Sequence, residues 1–234
     1  MLRRAALVLS ALALLACTRS PEGPRALPAD RDAPFVYVAL GDSTVEGVGA
    51  SNRDANYVSR VHARLRERYP AARMENLGVG GATSGDVQKR QLDRAIALAP
   101  HLITLSVGPN DITRGVTVTR YERTMTTILE SLGRKTTAVV VVNLLPDLAV
   151  TPRFRGGPHE QKVGRLTVEY NDVLRRTVPV HGGELVDLYA PSQREVPRRP
   201  GLLAGDGYHP SDAGYALWAE LTWEVIARRL GQGG

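Results

Sequence analysis

Apolar runs rich in valine, isoleucine and leucine, continuous more than alternating, recur at residues 35–40, 102–107, 138–142 and 184–188, with a short piece near 74–77. Continuous apolarity of this length suits strands covered on both faces, as in parallel sheets. Between the runs lie helical patterns. Tyr121, Met125, Ile128, Leu129 and Leu132 fall on one stripe, and Val163, Leu166, Tyr170, Val173 and Leu174 on another. Further helices are predicted over 56–69, over 84–98 and from Ser211, a good N-cap, to Leu230. Strands alternating with helices predict a three-layer α/β/α domain, and in such sheets ligands bind at the carboxyl ends of the strands.

The amino terminus has a different character. Arg3 and Arg4 precede an apolar run over residues 5–16, too short for the roughly 20 residues of a spanning helix and patterned as a signal peptide. The run ends Leu14-Leu15-Ala16-Cys17, which resembles a bacterial lipobox, so Cys17 is the expected lipidation site after cleavage of residues 1–16. Lipid attachment would hold the protein on a membrane surface at the cell envelope; an ordinary secretory signal would leave it secreted or periplasmic. Cys17 is the only cysteine, which excludes an intramolecular disulfide. Residues 17–33 are rich in Pro, Arg, Asp and Gly and are expected to form a flexible tether. Residues 34–230 fit one globular domain, expected to act as a monomer.

The formal charge of +6 comes from scattered, mostly arginine residues, without the basic patch and interleaved aromatics of a nucleic-acid binder. No His-Glu-x-x-His motif or Cys/His cluster suggests zinc, and no metal or cofactor is expected. Gly78-Val-Gly80-Gly81-Ala-Thr83 approximates a dinucleotide fingerprint, but it follows the second strand and no ribose-binding acid ends the next one. His62, His101, His159 and His181 stand alone and read as surface or loop residues.

The chemistry-bearing residues gather where strands end. The first strand ends at Gly41-Asp42-Ser43, the second in the stretch from Asn76 to Thr83, and the third at Gly108-Pro109-Asn110-Asp111. Near the other terminus, Asp206-Gly-Tyr-His209-Pro precedes the last helix. A serine hydroxyl is a poor nucleophile until an imidazole takes its proton, and a carboxylate then fixes the tautomer and stabilises the imidazolium. His209 and Asp206 can do this for Ser43. The Ser43 N–H, at a helix start, is an expected oxyanion donor. Asp42 and Asp111 read as loop hydrogen-bonding residues. The Gly-x-Ser-x-Gly elbow is absent, because Val45 stands at its second glycine.

In this order and spacing the four segments resemble the SGNH (GDSL) hydrolase family over nearly the whole domain. The resemblance implies a flavodoxin-like parallel sheet of five strands, Ser43 as nucleophile, and Asp206 and His209 as its partners. It also implies an oxyanion hole completed by the Gly81 backbone N–H and the Asn110 side chain. Pro109 departs from the glycine or alanine of many relatives, which removes a backbone donor and leaves the Asn110 amide available. The expected activity is hydrolysis of a carboxylic ester through an acyl-enzyme: a short-chain acyl ester first, since no long apolar lid is visible, with lysophospholipid or an O-acetylated sugar also open. Arg153 and Arg155, in the loop over 143–158, could meet an anionic head group. Two alternatives use the same pocket: acyl transfer to an alcohol, and a catalytically silent lipoprotein that binds a glycan or lipid.

Overall fold

The computed structural model describes residues 25–230. The signal peptide expected over 1–16, Cys17 and the first part of the expected tether lie outside the described residues.

Five parallel strands, β1 (Phe35–Gly41), β2 (Ala72–Asn76), β3 (Leu102–Ser106), β4 (Val139–Asn143) and β5 (Glu184–Val186), form one sheet in the order β2-β1-β3-β4-β5. Every residue of β3 and β4 is buried, as their unbroken apolarity requires. The helices are α1 (Ser43–Glu46), α2 (Tyr57–Arg68), α3 (Ser84–Arg90), α4 (Leu92–Ala97), α5 (Pro109–Thr113), α6 (Val118–Lys135), α7 (Glu160–Val180), α8 (Tyr189–Glu195) and α9 (Asp212–Leu230). Strand residues alternate between two cores. Val38, Leu40, Ile103, Leu105, Val140 and Val142 face the side of α3, α4, α6 and α7. Tyr37, Ala39, Leu102, Val139 and Val141 face α2 and α9. The α6 stripe expected from spacing is the face that α6 buries.

Two expectations need correction and a third needs an addition. The helix over 84–98 is two helices that meet at Gln91, where φ widens to -113°; its side chain donates to the Gly41 carbonyl at 2.8 Å and accepts the Gly41 N–H at 2.9 Å. The carboxyl end of the expected tether is docked. Leu27 is buried, Arg25 donates to the Ala138 carbonyl at 2.9 Å, and the Tyr69 hydroxyl donates to the Pro28 carbonyl at 2.7 Å. Low average apolarity hid one well-placed leucine and two directional hydrogen bonds. His101 is a loop residue, as expected, but one tied into the fold: its Nδ1 accepts the Val36 N–H at 3.0 Å and its ring stacks on Phe35.

Candidate active site

Ser43 owes its position to the turn that ends β1. Gly41 has φ +149°, and a Cβ there would come within 2.0 Å of the Ser106 carbonyl oxygen, so the chain can turn out of the sheet only without a side chain at this point. Asp42 then caps α1, its carboxylate accepting the Thr44 N–H at 3.0 Å and the Thr44 hydroxyl at 2.9 Å. Ser43 is the first residue of α1.

His209 reaches it from a loop closed on itself. The Ala204 N–H bonds the His209 carbonyl at 2.8 Å, and the Ser211 N–H bonds the Leu202 carbonyl at 2.9 Å. Gly207, at φ +65°, makes the tight turn that folds Asp206 back on its own histidine. The His209 Nε2 lies 2.9 Å from the Ser43 Oγ, and its Nδ1 lies 2.5 Å from the Asp206 Oδ2. The other Asp206 oxygen accepts the backbone N–H groups of Tyr208 and His209, at 2.9 and 3.0 Å. Burial by itself would raise the Asp206 carboxyl, but the bonds from the His209 ring and these two N–H groups outweigh it and hold it below the ordinary carboxylate range. Asp206 is thus kept ionised opposite the imidazole.

The expected donors lie on the segments that follow β2 and β3. The Asn110 amide donates to the Ala82 carbonyl at 3.0 Å, which ties the Gly81 loop to α5 and leaves one amide hydrogen free of that bond. Neither the Ser43 N–H nor the Gly81 N–H meets a backbone acceptor among the described residues. Below them Asp111, fully buried, accepts the Ser84 N–H at 2.8 Å and the Ser84 hydroxyl at 2.6 Å. The start of α3 is thereby pinned to α5.

A family model described as the GDSL-like lipase/acylhydrolase family matches residues 39–217, most of the chain. The chain belongs to this family. It is therefore a GDSL-type hydrolase that acts on ester bonds. Among related proteins, an acetylxylan esterase of Geobacillus stearothermophilus is 28% identical over 81% of this chain and 91% of its own. A GDSL-like esterase of Mycobacterium tuberculosis is 31% identical over 86% of this chain and 65% of its own. The sheet order and layers match solved structures. An α/β hydrolase from the metagenome of Lake Arreo superposes with a TM-score of 0.69, 23% identity and 86% and 98% coverage of the two chains. The crystal structure of the Geobacillus stearothermophilus acetylxylan esterase gives 0.67, 22%, and 86% and 96%.

The structure brings Ser43, Asp206 and His209 into one hydrogen-bonded chain and sets Asn110 and Gly81 on the adjoining loops. Asp42 and Asp111 make the loop hydrogen bonds expected of them. Asp42 is buried, which pushes its carboxyl up to about 6 against the hydrogen bonds from Thr44. The loop over 143–158 contributes Leu145, Pro146, Leu148 and Thr151 to the pocket beside Ser43. Arg153 lies over the ring of Tyr208, 5.2 Å from its centroid, and Tyr208 packs edge-on against His209.

Sequence reasoning missed Gln91 and Arg114, and placed Asn143 at the start of the pocket loop without giving its amide a role. Gln91 holds the end of β1 from within a helical pattern. Arg114 lies beside the Gly81 loop, where a Cβ on Gly81 would come within 3.0 Å of its guanidinium. Asn143 ends β4 and lines the pocket with both polar atoms unpartnered. A polar residue closing a run of four valines was the available signal for the last.

Proposed function

We propose that this chain hydrolyses carboxylic esters through an acyl-enzyme on Ser43. The observation that carries the reading is the continuous chain Ser43 Oγ, His209 Nε2, His209 Nδ1, Asp206 Oδ2, at 2.9 and 2.5 Å. As the Ser43 oxygen bonds to the ester carbonyl carbon, its proton passes to His209 Nε2, and Asp206 stabilises the resulting imidazolium. The carbonyl electrons move onto oxygen, where the Ser43 and Gly81 N–H groups and the Asn110 amide receive them. Collapse of the intermediate breaks the bond to the alcohol oxygen, which takes the proton from His209. Water repeats the sequence on the acyl-enzyme, giving up its proton to His209 and releasing the carboxylic acid and free Ser43.

The acetylxylan esterase relative supports an ester of a hydroxylated alcohol, and the Arg153 guanidinium beside Tyr208 supports a leaving group with negative charge near its rim. The sequence before residue 25 supports export and a lipid on Cys17, which incorporation of labelled fatty acid, lost in Cys17→Ser, would test. For the activity itself, purified protein should turn over p-nitrophenyl acetate or butyrate, with a fall of at least about 10⁴-fold in kcat for Ser43→Ala. Equal turnover by the variant would overturn the reading in favour of a binding protein.

A further inference from the structure

The pocket at Ser43 extends well away from the nucleophile. From the nucleophile it runs over the tips of β3 and β4 to walls made by Leu188, Leu202, Leu203, Leu217, Trp218 and Leu221. Both chain neighbours of the nucleophile, Asp42 and Thr44, line it. An alcohol must leave toward solvent and give way to water, whereas the acyl group stays bonded to Ser43 until deacylation. A pocket built around the nucleophile's own flanks therefore suits the acyl group, and its apolar walls suit a chain of methylenes.

One feature of this pocket does not suit a plain hydrocarbon. Asn143 is 1% exposed, lines the pocket, and has no hydrogen-bond partner at either Oδ1 or Nδ2. The other polar groups on the strand tips have partners: Asp42 accepts from Thr44, and the Thr44 and Ser106 hydroxyls lie 3.5 Å apart. An alkyl chain laid over Asn143 would leave a buried amide with neither donor nor acceptor. A hydroxyl provides both, donating to Oδ1 and accepting from Nδ2. β4 is two strands from β1, about 10 Å across the sheet, so such a hydroxyl belongs well along the chain and not beside the ester.

We propose that the acyl group of the substrate is an aliphatic chain of medium length bearing a hydroxyl, and that Asn143 is the specificity-determining residue that reads it. The inference rests on the ester-hydrolase reading and names its substrate class. The competing account of Asn143 is an ordered water held between its two polar atoms.

The test compares p-nitrophenyl octanoate with hydroxyoctanoates carrying the hydroxyl at the sixth, seventh or eighth carbon, too far along to close a five- or six-membered lactone, on the wild type and on Asn143→Leu. Each protein is its own reference, because the readout is the ratio of hydroxylated to plain kcat/KM. The wild type should favour at least one hydroxylated isomer about tenfold or more, and Asn143→Leu should bring that ratio to parity or below. Thermal melting checks that the variant is folded, and Asn143→Ala carries the same comparison if it is not. A wild type that prefers octanoate to every isomer overturns the proposal in favour of the bound water. An unchanged ratio in a folded variant overturns it as well. Turnover of acetate with none of any octanoyl ester removes the acyl pocket and leaves the esterase reading standing, whereas no turnover of any ester, acetate included, removes both.

Discussion

The His209 Nε2 lies 2.9 Å from the Ser43 Oγ although 166 residues separate them. Ser43 leaves the first strand of the sheet, and His209 precedes the helix α9 that packs beside α2 on the face of Tyr37 and Val141. The meeting is therefore a consequence of burying α9 on that face, and the loop before it has to carry only a short distance to the rim.

Within this chain Asp206 acts through His209 and never on the ester. Asp206→Asn removes the charge opposite the imidazolium and can present its amide N–H to Nδ1, which favours the wrong tautomer. The expected result is a fall in kcat of about 10³–10⁴-fold with KM little changed, measured on p-nitrophenyl butyrate at neutral pH. The Asp206 side chain is 44% exposed, so thermal stability should hardly move. A variant that melts many degrees lower would mark Asp206 as structural.

In the proposed mechanism Asn110 has two tasks: its amide donates to the Ala82 carbonyl at 3.0 Å, and its second hydrogen would serve the oxyanion. Asn110→Ala should cost about 10²–10³-fold in kcat, the range for one oxyanion donor, again with KM close to that of the wild type. Asn110→Asp tests the same point, since a carboxylate has no donor for either task and repels the developing charge. Stopped-flow acylation rates would show the loss in the chemical step.

How much of this was legible beforehand depends on the range of the signal. The strands were visible because parallel strands are apolar on both faces, and β4 reads Val139-Val-Val-Val-Asn143. Ser43, Asn110, Asp206 and His209 were visible because each stands in a short segment whose order along the chain is informative. The roles of Gln91 and Asn143 were not. Gln91 is a good helix former by itself, and its bonds to the backbone of β1, fifty residues earlier, leave no mark on the local pattern. Asn143 stands out locally as the polar residue that closes four valines, but the missing partner on which its proposed role depends is not encoded there. The docking of residues 25–33 was hidden in the same way, since Leu27 is a single apolar residue in a polar stretch.

Asp42 makes stability depend on pH. Burial raises its carboxyl from 3.8 to about 6, so the folded state holds a proton more tightly than the unfolded chain. The stabilisation is full below pH 3.8 and is lost as pH rises through about 6. Between pH 4 and pH 7 this amounts to about 2–3 kcal/mol. Asp42→Asn keeps an acceptor for the Thr44 N–H and carries no titrating charge. Urea unfolding should therefore show the variant gaining on the wild type by about that amount between pH 4 and pH 7. A difference that stays constant across the range would show that Asp42 does not titrate there.

Gln91 couples the stability of the fold to the placement of the nucleophile. Its side chain closes a two-bond ring with the Gly41 backbone, and Gly41 is two residues from Ser43. In Gln91→Ala the Gly41 N–H is left buried without an acceptor, while the Gly41 carbonyl keeps a bond from the Val79 N–H at 3.2 Å. One orphaned donor and the loss of a buried side chain should cost about 2–3 kcal/mol. For a domain of this size that lowers Tm by roughly 5–10 °C. The strand tip also loses its tie, so kcat should fall further than the unfolded fraction explains at 25 °C. Gln91→Glu separates the two effects: it keeps the acceptor for the Gly41 N–H but sets a carboxylate oxygen against the Gly41 carbonyl, which should lower Tm at pH 8 and restore it toward pH 5 as the acid takes a proton and becomes a donor. Calorimetry at the two pH values, with activity measured on the same samples, decides whether that ring holds Ser43 in place.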